Sequence, residues 1–307
     1  MTLKRIANFG PDASRVLSYG CLIAAAVLFG CTGVLVKNVF KPPYSTLSLI
    51  SLRAVVSLLV MLPIMVYRGL SDLRIDRTQF RALLGLGLWL LLVNVTFFCA
   101  INLVPVAEVI ALQYTAPIVV LLVEILKKAQ PMTLSAGAVV VACTLGIVLL
   151  SEVRSVGLGG KGTAGFLLGV ASGISFAFYN LQGKYSSAIG LNARTTTFYS
   201  ILFSVVPCLP FLPFLKIDFF VESWQTFFWL IVVSILGCGL PCLLLFKGLG
   251  GVSAFPATVV GVLEPVVAAI CAYVVLHENL SLQQMAGGVV VVCAAVYAPR
   301  SVSRRYR

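Results

Sequence analysis

The chain has 307 residues, of which 60% are hydrophobic and only 10% charged, against a charged share of about 25% in ordinary soluble domains. A soluble globule of this size needs a polar shell, so the missing charge excludes a water-bathed fold and requires lipid on the outside; the mean hydropathy of +1.06 agrees. The formal net charge of +12 comes with no basic or aromatic-interleaved face, which argues against nucleic acid as a partner.

The residues before Ser18 are polar and basic and lead into an apolar run long enough to span a bilayer. That favours an uncleaved first helix over a signal peptide, with the small residues from Ala24 to Ala26 as the opposing sign. Crossing hydrocarbon takes about 20 helical residues. Charges, prolines and glycines divide the apolar runs into ten predicted spans at 18–36, 44–67, 80–103, 106–126, 132–150, 162–183, 195–215, 225–246, 252–276 and 281–298. Connections around Pro105, Pro131 and Gly250–Gly251 are so short that the helices they join must be antiparallel neighbours.

Span two carries Arg53, nine residues beyond Tyr44 and hence about 13 Å into the helix, near the bilayer midplane. An ionisable group at that depth is costly and suggests function; a structural or gating anchor and a site for a substrate carboxylate are the two readings. Span three offers Trp89, Asn94, Thr96, Phe97 and Phe98, and span four offers Gln113, Tyr114, Thr115 and Pro117. Asn94 and Tyr114 lie too deep for an interfacial belt, so their polar groups require a neighbouring helix or a cavity. Glu108 falls near the outer end of span four, as a helix N-terminus favours, and is a candidate for the cavity mouth. Glu124 precedes Lys127 and Lys128 at the spacing of an interfacial ion pair. Span six holds Gly165, Gly169 and Gly173 at every fourth residue, a ridge suited to close helix packing, followed by Phe176, Tyr179 and Asn180 as candidate cavity lining.

Span nine carries Glu264, twelve residues beyond Val252 and so about 18 Å deep, immediately before Pro265. Three readings stay open for it: a structural ion pair, a proton or substrate carrier, or a cytoplasm-facing group if the span is displaced. Pairing with Arg53 is possible in depth. Pro117 and Pro265 each remove a backbone donor and free a carbonyl, which lipid tolerates only where protein or a water-filled cavity satisfies it, so both mark expected helix bends or gating points. The nine cysteines lie in apolar runs without metal-site spacing and read as small buried hydrophobes.

Two further patterns organise the chain. Sixteen lysines and arginines fall in loops that are cytoplasmic if the N-terminus is inside, and five on the other side; cytoplasmic loops are the basic ones, so both termini are expected inside. Sliding the chain against itself by about 147 residues aligns Lys37 with Lys184, and Pro117 with Pro265 at an offset of 148. Five spans per half is odd, so the second half would enter upside down, as in secondary transporters with a midplane site between inverted repeats. The expected organisation is a cytoplasmic segment 1–17, a five-helix repeat 18–150, an outer linker 151–161, a second five-helix repeat 162–298 and a basic cytoplasmic tail 299–307.

Arg53 in span two, the YTAPIVV stretch from Tyr114 to Val120, and VLEPVVAAICAYVVLHENLS from Val262 to Ser281 resemble the EamA type of the drug/metabolite transporter superfamily over nearly the whole chain. The family's leucine, glycine and glutamate before the fifth helix of a half survives in part as Leu276-His277-Glu278; the first half has Ala129 and Gln130 at the matching places. The resemblance implies an exporter of amino acids or related metabolites in a bacterial inner membrane, and its aromatic-amino-acid exporters suit the Phe, Tyr and Trp candidates. Export or exchange by alternating access is therefore expected, with drugs, nucleosides or sugar derivatives as alternative solutes. Lipid and a small solute are the expected partners, protons a conceivable one, and a monomer the expected state. No Walker-type loop appears and no cofactor is expected. An intramembrane enzyme is disfavoured, because the only histidine, His277, falls in an outer loop and no GxSxG turn is present.

Overall fold

The computed structural model describes residues 11–39, 46–68, 73–151, 160–214 and 223–301. Among these residues the chain is entirely helical, with no strand. In chain order the helical segments are α1 (Pro11–Val39), α2 (Thr46–Arg68), α3 (Arg77–Ile101), α4 (Val106–Leu126), α5 (Leu134–Leu150), α6 (Lys161–Ala188), α7 (Ala193–Val205), α8 (Trp224–Gly251), α9 (Ala254–Leu276) and α10 (Leu282–Ser301). Seven of these contain stretches long and apolar enough to cross a membrane; α2 and α5 hold shorter apolar stretches, Ser51–Tyr67 and Leu134–Leu150. The ends of the second predicted span (44–45), most of the linker (152–159) and most of the tail (302–307) lie outside the described residues.

Local sequence sets the helix starts. Asp76 and Gln79 form a capping box on α3, with Asp76 Oδ1 accepting from the Gln79 N–H at 2.8 Å and Gln79 Oε1 from the Asp76 N–H at 3.1 Å. Thr133, Asn192 and Ser223 similarly accept first-turn N–H groups of α5, α7 and α8. His277 ends α9 in the left-handed region, at φ 55°.

Several boundaries differ from the hydropathy reading. α1 is already helical at Pro11, the first described residue, seven residues before the predicted start at 18, since polar helix ends outside hydrocarbon need no burial. α7 is α-helical only to Val205 and tightens into a 3₁₀ segment, Val206–Phe214, where Pro207, Pro210 and Pro213 remove donors. Glu124 does not pair with Lys127 and Lys128. α4 ends at Leu126 and Lys128 turns left-handed (φ 55°), so both lysines leave the face on which a helical i+4 pair would form. Instead Glu124 Oε1 accepts the N–H of Ala254 at 3.1 Å, capping α9 from another helix, beside Lys184, whose ammonium donates to the Leu249 carbonyl at 3.0 Å.

Helix neighbours come in matched sets. α3 packs on α6 as α8 packs on α1; α4 lies on α6 as α9 lies on α1; α3 meets α7 as α8 meets α2. Two pairings, α2 with α7 and α5 with α10, join corresponding helices directly. The α5–α10 pair is antiparallel and close: a Cβ on Gly287 would lie 2.6 Å from the Gly146 carbonyl and 2.5 Å from the Leu150 nitrogen. Thr133 Oγ1 donates to the Ser301 carbonyl (3.2 Å) at one end of this pair, and Gln283 Nε2 to the Leu149 carbonyl (3.3 Å) at the other. The glycine ridge of α6 seats α4 and the connection leading into it, with Gly169 against Leu112 and Gly165 against Val104.

Candidate functional site

Three interrupted helices shape the centre. In α4, the regular ladder breaks between Val106–Gln113 and Ala116–Leu126. Pro117 has no N–H to offer the Gln113 carbonyl four residues back, and the Thr115 hydroxyl turns to the Leu112 carbonyl at 2.7 Å. In α9 the break falls at Val262, four residues after Thr258 and three before Pro265, which withholds a donor from the Gly261 carbonyl. Glu264 thereby sits in the first turn of the second piece of α9, the end of a helix at which a carboxylate is favoured. In α8 a widened π turn spans Ile235–Gly239, and Ser57 of α2 donates to the adjoining Ser234 carbonyl at 2.7 Å. Such turns concentrate at functional sites.

Glycines let neighbouring helices reach these breaks. A Cβ on Gly30 of α1 would fall 2.6 Å from the Glu264 carbonyl, one on Gly173 of α6 2.7 Å from the Leu112 carbonyl, and one on Gly237 in the π turn 2.3 Å from Thr32 Cγ2. The first helix of each half is thus fitted against the broken helix of the other.

Between these helices lies a cavity of about 370 Å³. Its lining comes from α1 (Phe29, Gly30, Gly33), α2 (Arg53, Ala54), α3 (Leu90, Val93, Asn94, Phe97, Phe98) and α4 (Ile110, Gln113, Tyr114) on one side. α6 (Phe176, Tyr179), α7 (Ile201, Ser204), α8 (Gly237, Cys238, Cys242, Leu245) and α9 (Glu264, Pro265, Ala268) complete it. On α3 and α4 these residues lie toward the short connection joining the two helices, whereas the Glu124–Ala254 contact joins α4 to α9 at the opposite end of α4. A smaller hollow of about 50 Å³ between α2, α3 and α7 shares Ala54, Asn94, Phe98 and Ser204 with it.

The charges in the cavity are few and opposite. The Tyr114 hydroxyl faces the Glu264 carboxylate, and the Arg53 guanidinium is near enough to act electrostatically on the same carboxylate and on Cys238 and Cys242. Tyr179 donates to Cys242 Sγ at 3.8 Å. Asn94 Nδ2 donates to the Leu90 carbonyl at 2.8 Å. Around them stand aromatic rings, with Tyr114 and Phe176 edge to face at 6.2 Å and Phe97 and Phe98 at 5.3 Å. An apolar chamber holding one cation, one anion and amide or hydroxyl groups can orient a small dipolar solute while its walls take up an apolar part.

Of the residues singled out from sequence, Arg53, Asn94, Phe98, Tyr114, Phe176, Tyr179, Glu264 and Pro265 meet at this cavity. Four stand off it. Trp89 stacks on Phe178 at 4.8 Å and 15°, joining α3 to α6. Thr115 is turned to its own helix and faces Gly173. Asn180 is buried, with Nδ2 on the Phe176 carbonyl at 2.8 Å, and Pro117 is buried behind the break it creates. Glu108 is buried in the first turn of α4 and is not part of the lining. Sequence reasoning missed the α1 wall and the two cysteines of α8, because glycine, phenylalanine and cysteine in an apolar run carry no polar signal. The close spacing of Gly237, Cys238, Gly239 and Pro241 was the available hint of an irregular turn. Burial of the cysteines is not general either, since Cys99 and Cys293 are exposed.

Comparison with known proteins accords with this architecture. The sequence pattern of the EamA-like transporter family matches the chain twice, over residues 17–152 and 163–298. The chain is 29% identical over 296 residues to an uncharacterized transporter of Archaeoglobus fulgidus, covering 93% of this chain and 98% of that protein. A solved crystal structure superposes with a TM-score of 0.74 over 96% of this chain and all of that one; at 16% identity this speaks to the fold alone. The broken helices, the central cavity and the doubled family pattern converge on one conclusion: the chain is a multi-pass membrane protein of the EamA-like family within the drug/metabolite transporters, a transporter of small solutes rather than an enzyme.

Proposed function

We propose that this protein is a secondary transporter that exports or exchanges small zwitterionic metabolites, foremost amino acids with aromatic or other apolar side chains, by alternating access through the cavity between its halves. The observation that carries this reading is the cavity itself: Arg53 and Glu264 supply opposite charges within one chamber walled by Phe29, Phe97, Phe98 and Phe176. A solute carboxylate belongs with the Arg53 guanidinium, its ammonium with Glu264, and its side chain among the rings. Asn94, Tyr114 and Tyr179 orient the polar end; Pro265 at the cavity, and Pro117 behind it, make α9 and α4 the bending helices. Trp89, Thr115 and Asn180 brace the wall from behind.

In this reading all ten helical segments cross the bilayer, 18–150 and 162–298 being inverted five-helix repeats linked by 151–161. The paired helix contacts and the doubled family pattern support it. Both termini, 1–17 and 299–307, lie in the cytoplasm by the distribution of basic residues, and the membrane is a bacterial plasma membrane. The protein works as a monomer, and Glu264 is the group through which protons would couple to solute.

Thermal stabilisation of the purified protein by a panel of amino acids, nucleosides, sugars and cations tests the substrate class. A solute that binds only the folded state at about 100 times its Kd adds about 2.7 kcal/mol of stability. Aromatic amino acids should stabilise the wild type and fail to stabilise Asn94→Ala and Phe176→Ala. Stabilisation by nucleosides or sugars alone, or stabilisation that survives both substitutions, would overturn the assignment.

A further inference from the structure

The two halves meet along the seam of α1 and α9, and that seam carries a pair of free thiols. Cys31 of α1 and Cys271 of α9 lie 240 residues apart in sequence with their sulfurs 3.3 Å apart. Both are partly exposed rather than sealed in the core. The pair adjoins the central cavity without lining it: Cys31 follows Gly30, which seats α1 on the Glu264 carbonyl, and Cys271 lies one turn beyond Ala268, whose nitrogen a Gly30 Cβ would approach to 3.0 Å. Cys143 and Cys21, by contrast, are buried, and no other contact between cysteine sulfurs of two different helices is found among the described residues.

From this geometry we propose that Cys31 and Cys271 form a reversible thiol–disulfide site that ties the first helix of one half to the ninth helix of the other and, when oxidised, arrests transport. The second part rests on the transporter reading above. The chemistry is a two-electron exchange with a membrane-permeant thiol oxidant, an azodicarboxamide or a low-molecular-weight disulfide. The two S–H bonds break and one S–S bond forms. The two protons and two electrons pass to the oxidant, which becomes a hydrazine or a pair of thiols. A bonded sulfur pair sits at about 2.05 Å with a narrow range of torsions, so it holds its two helices in one relation. Rocking of one half on the other must shear this seam, since α1 and α9 come from opposite halves.

Intact mass and peptide mapping of the purified full chain after treatment with diamide, an azodicarboxamide, test the site directly. The expected product has lost two hydrogens, contains a Cys31–Cys271 cross-linked peptide and reverts with dithiothreitol. The cross-link is absent in Cys31→Ser and in Cys271→Ala, two variants that guard against misfolding of either one. No cross-link between these residues in folded wild-type protein overturns the proposal. Solute uptake into proteoliposomes tests the consequence: diamide should abolish uptake by the wild type and leave uptake by Cys31→Ser unchanged. Cross-linking without loss of uptake overturns the arrest while leaving transport intact, whereas absence of uptake before oxidation counts against the transporter reading and leaves the mapped cross-link standing.

Discussion

The π turn of α8 is the sharpest steric test of how the cavity wall is built. A methyl group added at Gly237 lies 2.3 Å from Thr32 Cγ2, 3.1 Å from Thr32 Cβ and 3.3 Å from Thr32 Oγ1. Thr32 is buried at 3% exposure, and its hydroxyl donates to the Leu28 carbonyl at 2.6 Å. A β-branched side chain held in this way cannot swing aside, so α1 and α8 must separate or the π turn must reshape. Overpacking of this kind typically costs about 1–3 kcal/mol. Gly237→Ala should lose stability in that range, measured by reversible denaturation in mixed micelles. Thr32→Ser deletes the methyl group that clashes and keeps the hydroxyl. In the double variant it should recover most of the loss, a coupling that a cycle of the four proteins measures. Gly261→Ala, which meets nothing within 4 Å, is the control and should be near neutral. A neutral Gly237→Ala, or a double variant no better than the single, would refute the close approach of α1 to this turn.

The same structure predicts other outcomes. Gly287→Ala places its methyl against the backbone of α5 at 2.5 and 2.6 Å, so it should sharply reduce the folded yield in a fluorescence size-exclusion assay, whereas Gly137→Ala, with open space around it, should be tolerated. Glu124→Ala removes the acceptor for the Ala254 N–H and should lower stability by about 1 kcal/mol, as other lost helix caps do; Glu124→Gln, which keeps an oxygen acceptor, should lose less in the same denaturation experiment. Pro117→Ala restores a donor four residues after the Gln113 carbonyl. It should leave thermal stability unchanged or higher while slowing uptake in proteoliposomes, because a continuous α4 bends less readily.

Much of the architecture could be read from the chain because its signals are one-dimensional. Apolar runs interrupted by charges, prolines and glycines announced α3, α5 and α8, whose starts at Arg77, Leu134 and Trp224 lie close to the expected 80, 132 and 225. Two prolines at corresponding places in α4 and α9 announced the breaks. The glycine ridge of α6 predicted close packing, and its partner proved to be α4. The cavity was most legible where it spends polar atoms: Arg53, Asn94, Tyr114 and Glu264 stood out because lipid forbids them, and Phe98 and Phe176 were noticed beside such groups. Its remaining walls are Phe29, Gly30, Cys238 and Cys242, residue types that hydrocarbon accepts equally well, so only three-dimensional placement separates them from core. Trp89 and Asn180 show the converse. They looked like lining, but the Trp89 ring stacks on Phe178 and the Asn180 amide nitrogen is turned to a carbonyl of its own helix. Glu124 misled for a related reason, since its partners lie 130 residues on and its neighbouring lysines leave the helix.

The central claim is that solute and protons meet at the cavity where Glu264, Tyr114 and Arg53 converge. Its most direct test is uptake of a labelled aromatic amino acid into proteoliposomes containing wild type or Glu264→Gln, with and without an imposed pH gradient. The wild type should accumulate solute faster with the gradient, and Glu264→Gln should lose that response while still exchanging solute. Gradient-driven uptake by Glu264→Gln at the wild-type rate would contradict the account.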